Sequence, residues 1–151
     1  MFLVDTNVVS ALAPSRALAS PDLVAWLERH TAELYLSVMT VAEIEIGIAK
    51  SRRASARRKA DELKAWLDAI VALYDDRILP FDRGTTPFVA ALSDLAQSRG
   101  RPTGLADIIV GAIAQQHGLT VLTRNLRHFA PLGVAAHDPF ARPPSPPSAS
   151  R

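Results

Sequence analysis

The chain has 151 residues, of which 48% are hydrophobic and 21% are charged, and its formal net charge is +2. This length and composition indicate one globular domain with its own hydrophobic core. The absence of cysteine excludes disulfides, thiolate metal sites and cysteine nucleophiles, and it suits a reducing compartment. Because Asp5 interrupts the first apolar stretch and no apolar run approaches roughly 20 residues, we expect a cytoplasmic protein without signal peptide or membrane segment.

Short apolar strands alternate with helical patterns along the chain. The predicted strands are residues 2–4, 34–38, 78–79 and 119–122, with 134–136 as a fifth strand at a sheet edge. The predicted helices are residues 7–13, 22–30, 40–50, 54–74, 86–99 and 106–117. This alternation predicts an α/β fold: a single domain over residues 1–140 with a central, mostly parallel sheet of about five strands, flanked by helices on both faces. Residues 141–151 are rich in Pro and Ser and are predicted to form a disordered tail.

Three carboxylates lie where apolar elements meet loops or helix starts. Asp5 directly follows the first strand, Glu43 lies in the helix after the second strand, and Asp107 lies in the first turn of a very apolar helix. In parallel α/β folds, sites form at the carboxyl ends of strands. We therefore expect these three acids to converge with Asn125, which follows the fourth strand. Carboxylates clustered at the edge of a core predict a cage for a hard divalent cation such as Mg²⁺.

Each of these residues also has a structural interpretation that the local sequence leaves open. Asp5 can cap the helix that follows it. Glu43 with Thr40 matches a capping box, in which a Thr at the N-cap and a Glu three residues later satisfy backbone N–H groups reciprocally. Asp107 gains from the helix dipole in a first turn, and Asn125 is a residue type that turns favour.

Other catalytic chemistry finds little support in the sequence. The four histidines are scattered without metal-ligand spacing, so we assign them no catalytic role. No Gly-x-Ser-x-Gly, phosphate-binding loop or dinucleotide-binding motif is present. A haloacid-dehalogenase-type phosphatase requires a second acid where Asn7 stands and a later lysine, and no lysine follows Lys64.

Four ordered stretches carry a resemblance to a known family. They are residues 2–10, 36–44, 78–82 and 106–125. In this order and spacing they resemble the PIN-domain ribonucleases, most closely the VapC toxins of bacterial type II toxin–antitoxin systems. The resemblance covers about residues 1–140. It implies a metal-dependent endoribonuclease in which Asp5, Glu43 and Asp107 occupy the acidic catalytic positions and Asn125 occupies the fourth.

The resemblance also implies a cofactor and partners. Mg²⁺ or Mn²⁺ would be held by Asp5, Asp107 and Glu43, and the partners would be an RNA substrate, a cognate VapB-type antitoxin and a second copy of the chain. The chain departs from the family pattern at two positions. Other members often have Asp where this chain has Asn125, and they frequently have an acid where it has His128. Asn125 is the feature that favours an alternative function, a catalytically silent PIN-like module that binds RNA or a protein partner.

Overall fold

A single sheet with helices on both faces forms the centre of the molecule, which is described by a computed structural model covering residues 1–14, 19–101 and 103–144. The strands in these ranges are β1 (Phe2–Val4), β2 (Leu34–Ser37), β3 (Ile78–Leu79), β4 (Thr120–Leu122) and β5 (Ala136–His137). The α-helices are α1 (Thr6–Val9), α2 (Pro21–Arg29), α3 (Val38–Arg53), α4 (Arg57–Tyr74), α5 (Thr86–Ser98), α6 (Leu105–Gln116) and α7 (Leu126–Phe129). The predicted α/β fold is confirmed, and the edge strand lies slightly later than predicted because Ala136 pairs with Val121.

The strand order places the end of β1 at the middle of one sheet edge. All strand pairs are parallel, and the order is β3-β2-β1-β4-β5. The chain winds outward from β1 to β3 and then returns to β4 on the other side of β1. In such a sheet a crevice opens beside the strands at which the winding reverses, at their carboxyl ends. Asp5 and Thr123 directly follow those two strands.

The sheet separates two apolar layers. Phe2 and Val4 of β1 face one layer, whereas Leu3 faces the other, as the alternation of side chains along a strand requires. Buried side chains of α1, α2, α3 and α4 form the first layer, and those of α5, α6 and α7 form the second. The predicted helices on both faces are therefore confirmed, and the core anchors every element that ends near the crevice.

The boundaries of α3 and α4 differ from the predictions. The second strand ends at Ser37, whose hydroxyl accepts a hydrogen bond from the backbone N–H of Thr40 at 3.0 Å, so α3 begins at Val38 and not at Thr40. At its other end α3 continues to Arg53, and α4 begins only at Arg57. Ser55 has a φ of +62°, and this left-handed residue separates the two helices.

The chain after Phe140 is described as far as Pro144. There the indole N–H of Trp26 donates a hydrogen bond to the carbonyl oxygen of Pro144 at 3.1 Å. Pro144, in the predicted tail, thus contacts Trp26 of the first apolar layer, and the remainder of the tail, 145–151, lies outside the described residues. None of the helices in the described ranges combines the length and the hydropathy of a transmembrane segment.

Candidate active site

A groove of about 430 Å³ opens at the carboxyl ends of β1 and β4. All four residues that the sequence singled out line it, namely Asp5, Glu43, Asp107 and Asn125. The groove then follows α3, because Gly47 and Ser51 lie one and two turns beyond Glu43 on the same helix face. Lys59 of α4 lines it near the junction of α3 and α4. The structure therefore brings the predicted residues together and connects them to a cationic side chain.

Asp5 is the most buried of the acids, with 6% of its surface exposed. Its Oδ1 atom accepts a hydrogen bond from the backbone N–H of Thr6 at 2.7 Å, which makes Asp5 the N-cap of α1. Its Oδ2 atom accepts from the amide of Asn7 at 2.5 Å and from the hydroxyl of Thr123 at 2.7 Å. The capping interpretation is thus correct for one oxygen, while the other is held by side chains from two separate segments.

Thr123 and Asn7 connect the ends of β1 and β4. The fully buried hydroxyl of Thr123 donates to Asp5 and accepts from the Asn7 amide and the Asn125 backbone N–H, each at 3.0 Å. The Oδ1 atom of Asn7 accepts from the backbone N–H of Arg124 at 3.0 Å. Every donor in this network has an acceptor, so the Asp5 carboxylate has a defined orientation. From the sequence Thr123 was placed beyond a strand and given no role, since its side-chain partners Asp5 and Asn7 lie more than 110 residues away.

Glu43 lies in the second turn of α3, not at its start. Ser37 is the N-cap, so the predicted capping box of Thr40 and Glu43 is wrong. The physical reason is that β2 stays paired with β3 only through Ser37, and the helix begins directly afterwards. The Glu43 carboxylate instead accepts a hydrogen bond from the hydroxyl of Thr6. Glu45, two residues later, forms an ion pair with Lys64 at 3.3 Å.

Asp107 lies in the first turn of α6, whose N-cap is Gly104. Its side chain is 27% exposed, and its Oδ2 atom lies 3.0 Å from Nδ1 of His128. The sequence assigned no role to His128, because a histidine at the end of a helix is common. The position of α7 beside α6 creates the contact, and only the departure from the family pattern at His128 singled it out in the sequence.

Asn125 borders the groove from the start of α7. Its backbone N–H donates to Thr123, and its side chain makes no capping hydrogen bond to α7 within the described structure. An amide oxygen can accept a hydrogen bond or bind a cation, but it brings no charge.

The electrostatics of the site are unfavourable to a dense negative charge. Burial raises the pKa of Asp5 above the ordinary aspartate value, and the hydrogen bonds from Thr123 and Thr6 act in the opposite direction. The nearby carboxylates of Asp107 and Glu43 raise the pKa of Asp5 further. A cation in the groove would relieve both the burial and the repulsion.

The side-chain oxygens of the groove are suitable ligands for a hard divalent cation, although they do not surround a single point. Carboxylate and amide oxygens are the protein ligands that Mg²⁺ prefers. In the part of the chain that the structure describes, no three or more Asp, Glu or His side chains are close enough together to enclose an ion. Mg²⁺ is usually bound through one or two carboxylates and keeps several of its waters, and this arrangement is compatible with such binding.

Comparison with protein families identifies the fold. The family model described as "PIN domain" matches residues 2–132. Toxin FitB from Neisseria gonorrhoeae is 37% identical over 142 residues, covering 93% of this chain and 99% of that protein. The VapC ribonuclease Y4jK from Sinorhizobium fredii is 35% identical over 143 residues, covering 93% of this chain and 98% of that protein.

Solved structures agree with these matches. The crystal structure of FitAcB from Neisseria gonorrhoeae contains a chain with a TM-score of 0.81 and 36% identity, covering 93% of this chain and 99% of that chain. A structure of FitAB bound to an IR36 DNA fragment has a TM-score of 0.73 and 32% identity, covering 93% of this chain and 96% of that chain.

Proposed function

The chain belongs to the PIN-domain family, and on that premise we propose that it is a metal-dependent endoribonuclease and the toxin of a VapBC-type toxin–antitoxin system. The observation that carries the proposal is the groove that the buried Asp5 lines together with Glu43 and Asp107. Relatives over nearly the full length, one named a toxin and one a ribonuclease, support it.

The proposed cofactor is Mg²⁺ or Mn²⁺, held by Asp5 and Asp107 with Glu43 nearby. The raised pKa of Asp5 and the carboxylate donor set support a divalent ion. When bound, the cation supplies positive charge opposite the phosphoryl group and makes hydroxide available near neutral pH.

In the proposed reaction, side chains of the groove orient the attacking water and accept its proton. Glu43 accepts the proton of the attacking water, and the hydrogen bond from Thr6 fixes the carboxylate for this role. The water oxygen bonds to phosphorus, the bond from phosphorus to the leaving ribose oxygen breaks, and that oxygen takes a proton from solvent. Asn125 lines the groove, and its amide oxygen would accept a hydrogen bond from a water there. Asp5 does not move, because three donors hold it.

Basic side chains supply the affinity for an RNA backbone. Lys59 lines the groove itself, and it ends the basic run of Arg52, Arg53, Arg57 and Arg58 around the junction of α3 and α4. Such residues give a salt-dependent affinity for phosphates that opposes the repulsion from the acids. The backbone N–H of Arg124 donates to Asn7, which lines the groove, and the guanidinium of Arg124 lies 4.7 Å from the ring centre of Phe140. We propose Arg124 as a second phosphate contact.

The proposed biological setting is a toxin–antitoxin system in the cytoplasm. The relative FitB is a toxin, and a FitAB assembly bound to DNA has been solved. We therefore propose that a VapB-type antitoxin encoded beside this chain silences it and that the chain forms homodimers. The ribonuclease names among the relatives favour the enzyme over a catalytically silent module.

Expression in a bacterial host tests this function. We expect growth arrest with the wild-type chain, new 5′ ends in the RNA of the arrested cells, and recovery when the neighbouring small protein is co-expressed. Asp107→Asn should remove the arrest, while Glu45→Gln, which changes an acid outside the groove, should leave it intact. Arrest by Asp107→Asn at equal expression would contradict the proposed nuclease site, and arrest that persists with the neighbouring protein would contradict the proposed antitoxin.

A further inference from the structure

The contact between His128 and Asp107 is a polar interaction that the proposed reaction does not use. Nδ1 of His128 lies 3.0 Å from Oδ2 of Asp107. An ionised carboxylate has no hydrogen to give, so the imidazole Nδ1–H is the donor and Oδ2 is the acceptor. The contact joins the first turn of α6 to the last turn of α7.

Asp107 lines two cavities. One is the groove that Asp5 and Glu43 also line. The other is a small cavity of about 130 Å³, which His128 and Arg127 line. His128 therefore contacts Asp107 from a cavity that the other two acids do not line, and its hydrogen bond engages only one carboxylate oxygen, Oδ2.

The backbone of the histidine is firmly placed. Its N–H donates to the carbonyl oxygen of Asn125 at 2.8 Å, and the next residue, Phe129, is fully buried in the second apolar layer. The two side chains are both partly exposed, 35% for His128 and 27% for Asp107. A hydrogen bond between them restricts the rotation of the Asp107 carboxylate.

We propose that His128 is a positioning residue: its Nδ1–H holds Oδ2 of Asp107, so that the remaining oxygen of the carboxylate faces Asp5 and binds the divalent cation. This inference rests on the proposed metal site. Hydrogen-bond partners of metal ligands typically change metal affinity by 10- to 100-fold when they are removed.

Two amide variants test whether the position of the donor nitrogen at residue 128 matters, and not merely the presence of a polar side chain. In His128→Asn the amide nitrogen occupies the place of Nδ1, whereas in His128→Gln it occupies the place of Nε2 and cannot reach Oδ2. The readout is Mn²⁺ binding by isothermal titration calorimetry without RNA, for the wild type, both amide variants, His128→Ala and Asp107→Asn, after thermal unfolding has established that each is folded.

We expect His128→Ala and His128→Gln to weaken Mn²⁺ binding by about tenfold or more, and His128→Asn to stay close to the wild type. Equal Mn²⁺ affinity in the wild type and the folded Gln variant, with loss of binding in Asp107→Asn, would overturn the role of His128 and leave the metal site intact. So would equal weakening in the Asn and Gln variants. Wild-type affinity in Asp107→Asn, or no Mn²⁺ binding by the wild type, would overturn the metal site and this inference together.

Discussion

The hydroxyl of Thr6 donates a hydrogen bond to the carboxylate of Glu43, joining the first turn of α1 to the second turn of α3. Thr6 follows Asp5 directly, so one short segment caps a helix, presents a buried carboxylate and orients a second one. The groove thus depends on a link between residues that are 37 positions apart. This link explains how Glu43, on a helix that makes no local capping box, acquires a fixed orientation.

Replacing Thr6 by Val removes this donor and keeps the branched shape of the side chain. We expect RNA cleavage to fall by about tenfold, because the proposed proton acceptor loses its orientation. The free energy of unfolding should fall by only about 1 kcal/mol. Thr6→Ser retains the hydroxyl and should keep most of the activity. Full activity in Thr6→Val, together with an inactive Glu43→Gln, would show that the link does not orient Glu43.

Thr123→Val tests the buried network around Asp5. The substitution leaves the Asn125 N–H without its acceptor, takes one of the two acceptors of the Asn7 amide, and removes one donor from Asp5. We expect a loss of about 2 kcal/mol in the free energy of unfolding by urea, since unpaired buried polar groups are costly. Thr123→Ser, which keeps all three bonds available, is the matched control. Wild-type stability in the Val variant would contradict the network as described.

The raised pKa of Asp5 gives the metal-free protein a defined pH dependence. Burial, the largest cause, lifts the folded pKa above the ordinary value of 3.8. The resulting stabilisation is complete below the unfolded pKa and is lost as pH rises through the folded pKa. Asp5→Asn does not titrate there, and its changed hydrogen bonding with Asn7 adds an offset that is independent of pH.

Thermal unfolding in EDTA between about pH 4 and 8 measures this effect. The Tm of the wild type should fall relative to that of Asp5→Asn as the pH rises, and Mg²⁺ or Mn²⁺ at neutral pH should raise the wild-type Tm more than that of the variant. A Tm difference that stays constant with pH would mean that the Asp5 charge carries no cost in the folded state.

Asn125→Asp adds a fourth carboxylate to the groove. We expect Mn²⁺ affinity to rise by about tenfold, because cation affinity increases with the number of charged ligands. The metal-free variant should be slightly less stable than the wild type, since the new charge lies in a groove that already holds three acids. Asn125→Ala is the neutral comparison. Unchanged or weaker Mn²⁺ binding in Asn125→Asp would show that residue 125 does not face the ion.

The sequence predicted the sheet and the placement of Asp5 because both follow from local patterns. A buried strand that ends in Asp-Thr-Asn needs no distant information to be recognised. The start of α3 was predicted wrongly, since Ser37 and Thr40 are both acceptable N-caps and the choice depends on how far β2 pairs with β3.

The contacts that define the candidate site join residues that are distant in sequence. The bonds from Thr123 to Asp5 and from His128 to Asp107 connect segments that only the fold brings together. Local sequence patterns contain no information about such pairs. They indicate the chemical type of each residue but not the residue with which it interacts. This is why the sequence indicated four residues of the groove but not Thr123 and His128, which contact two of them.

Cleavage of total RNA by the purified chain is the direct test of a metal-dependent nuclease site built from Asp107 and Glu43. Wild type, Asp107→Asn, Glu43→Gln and the matched control Glu45→Gln are compared at equal concentration with Mn²⁺, with Mg²⁺ and with EDTA. We expect discrete fragments from the wild type and Glu45→Gln with either metal, none with EDTA, and none from the two groove variants. Equal cleavage by all four proteins, or cleavage that persists in EDTA, would contradict a metal-dependent site built from these carboxylates.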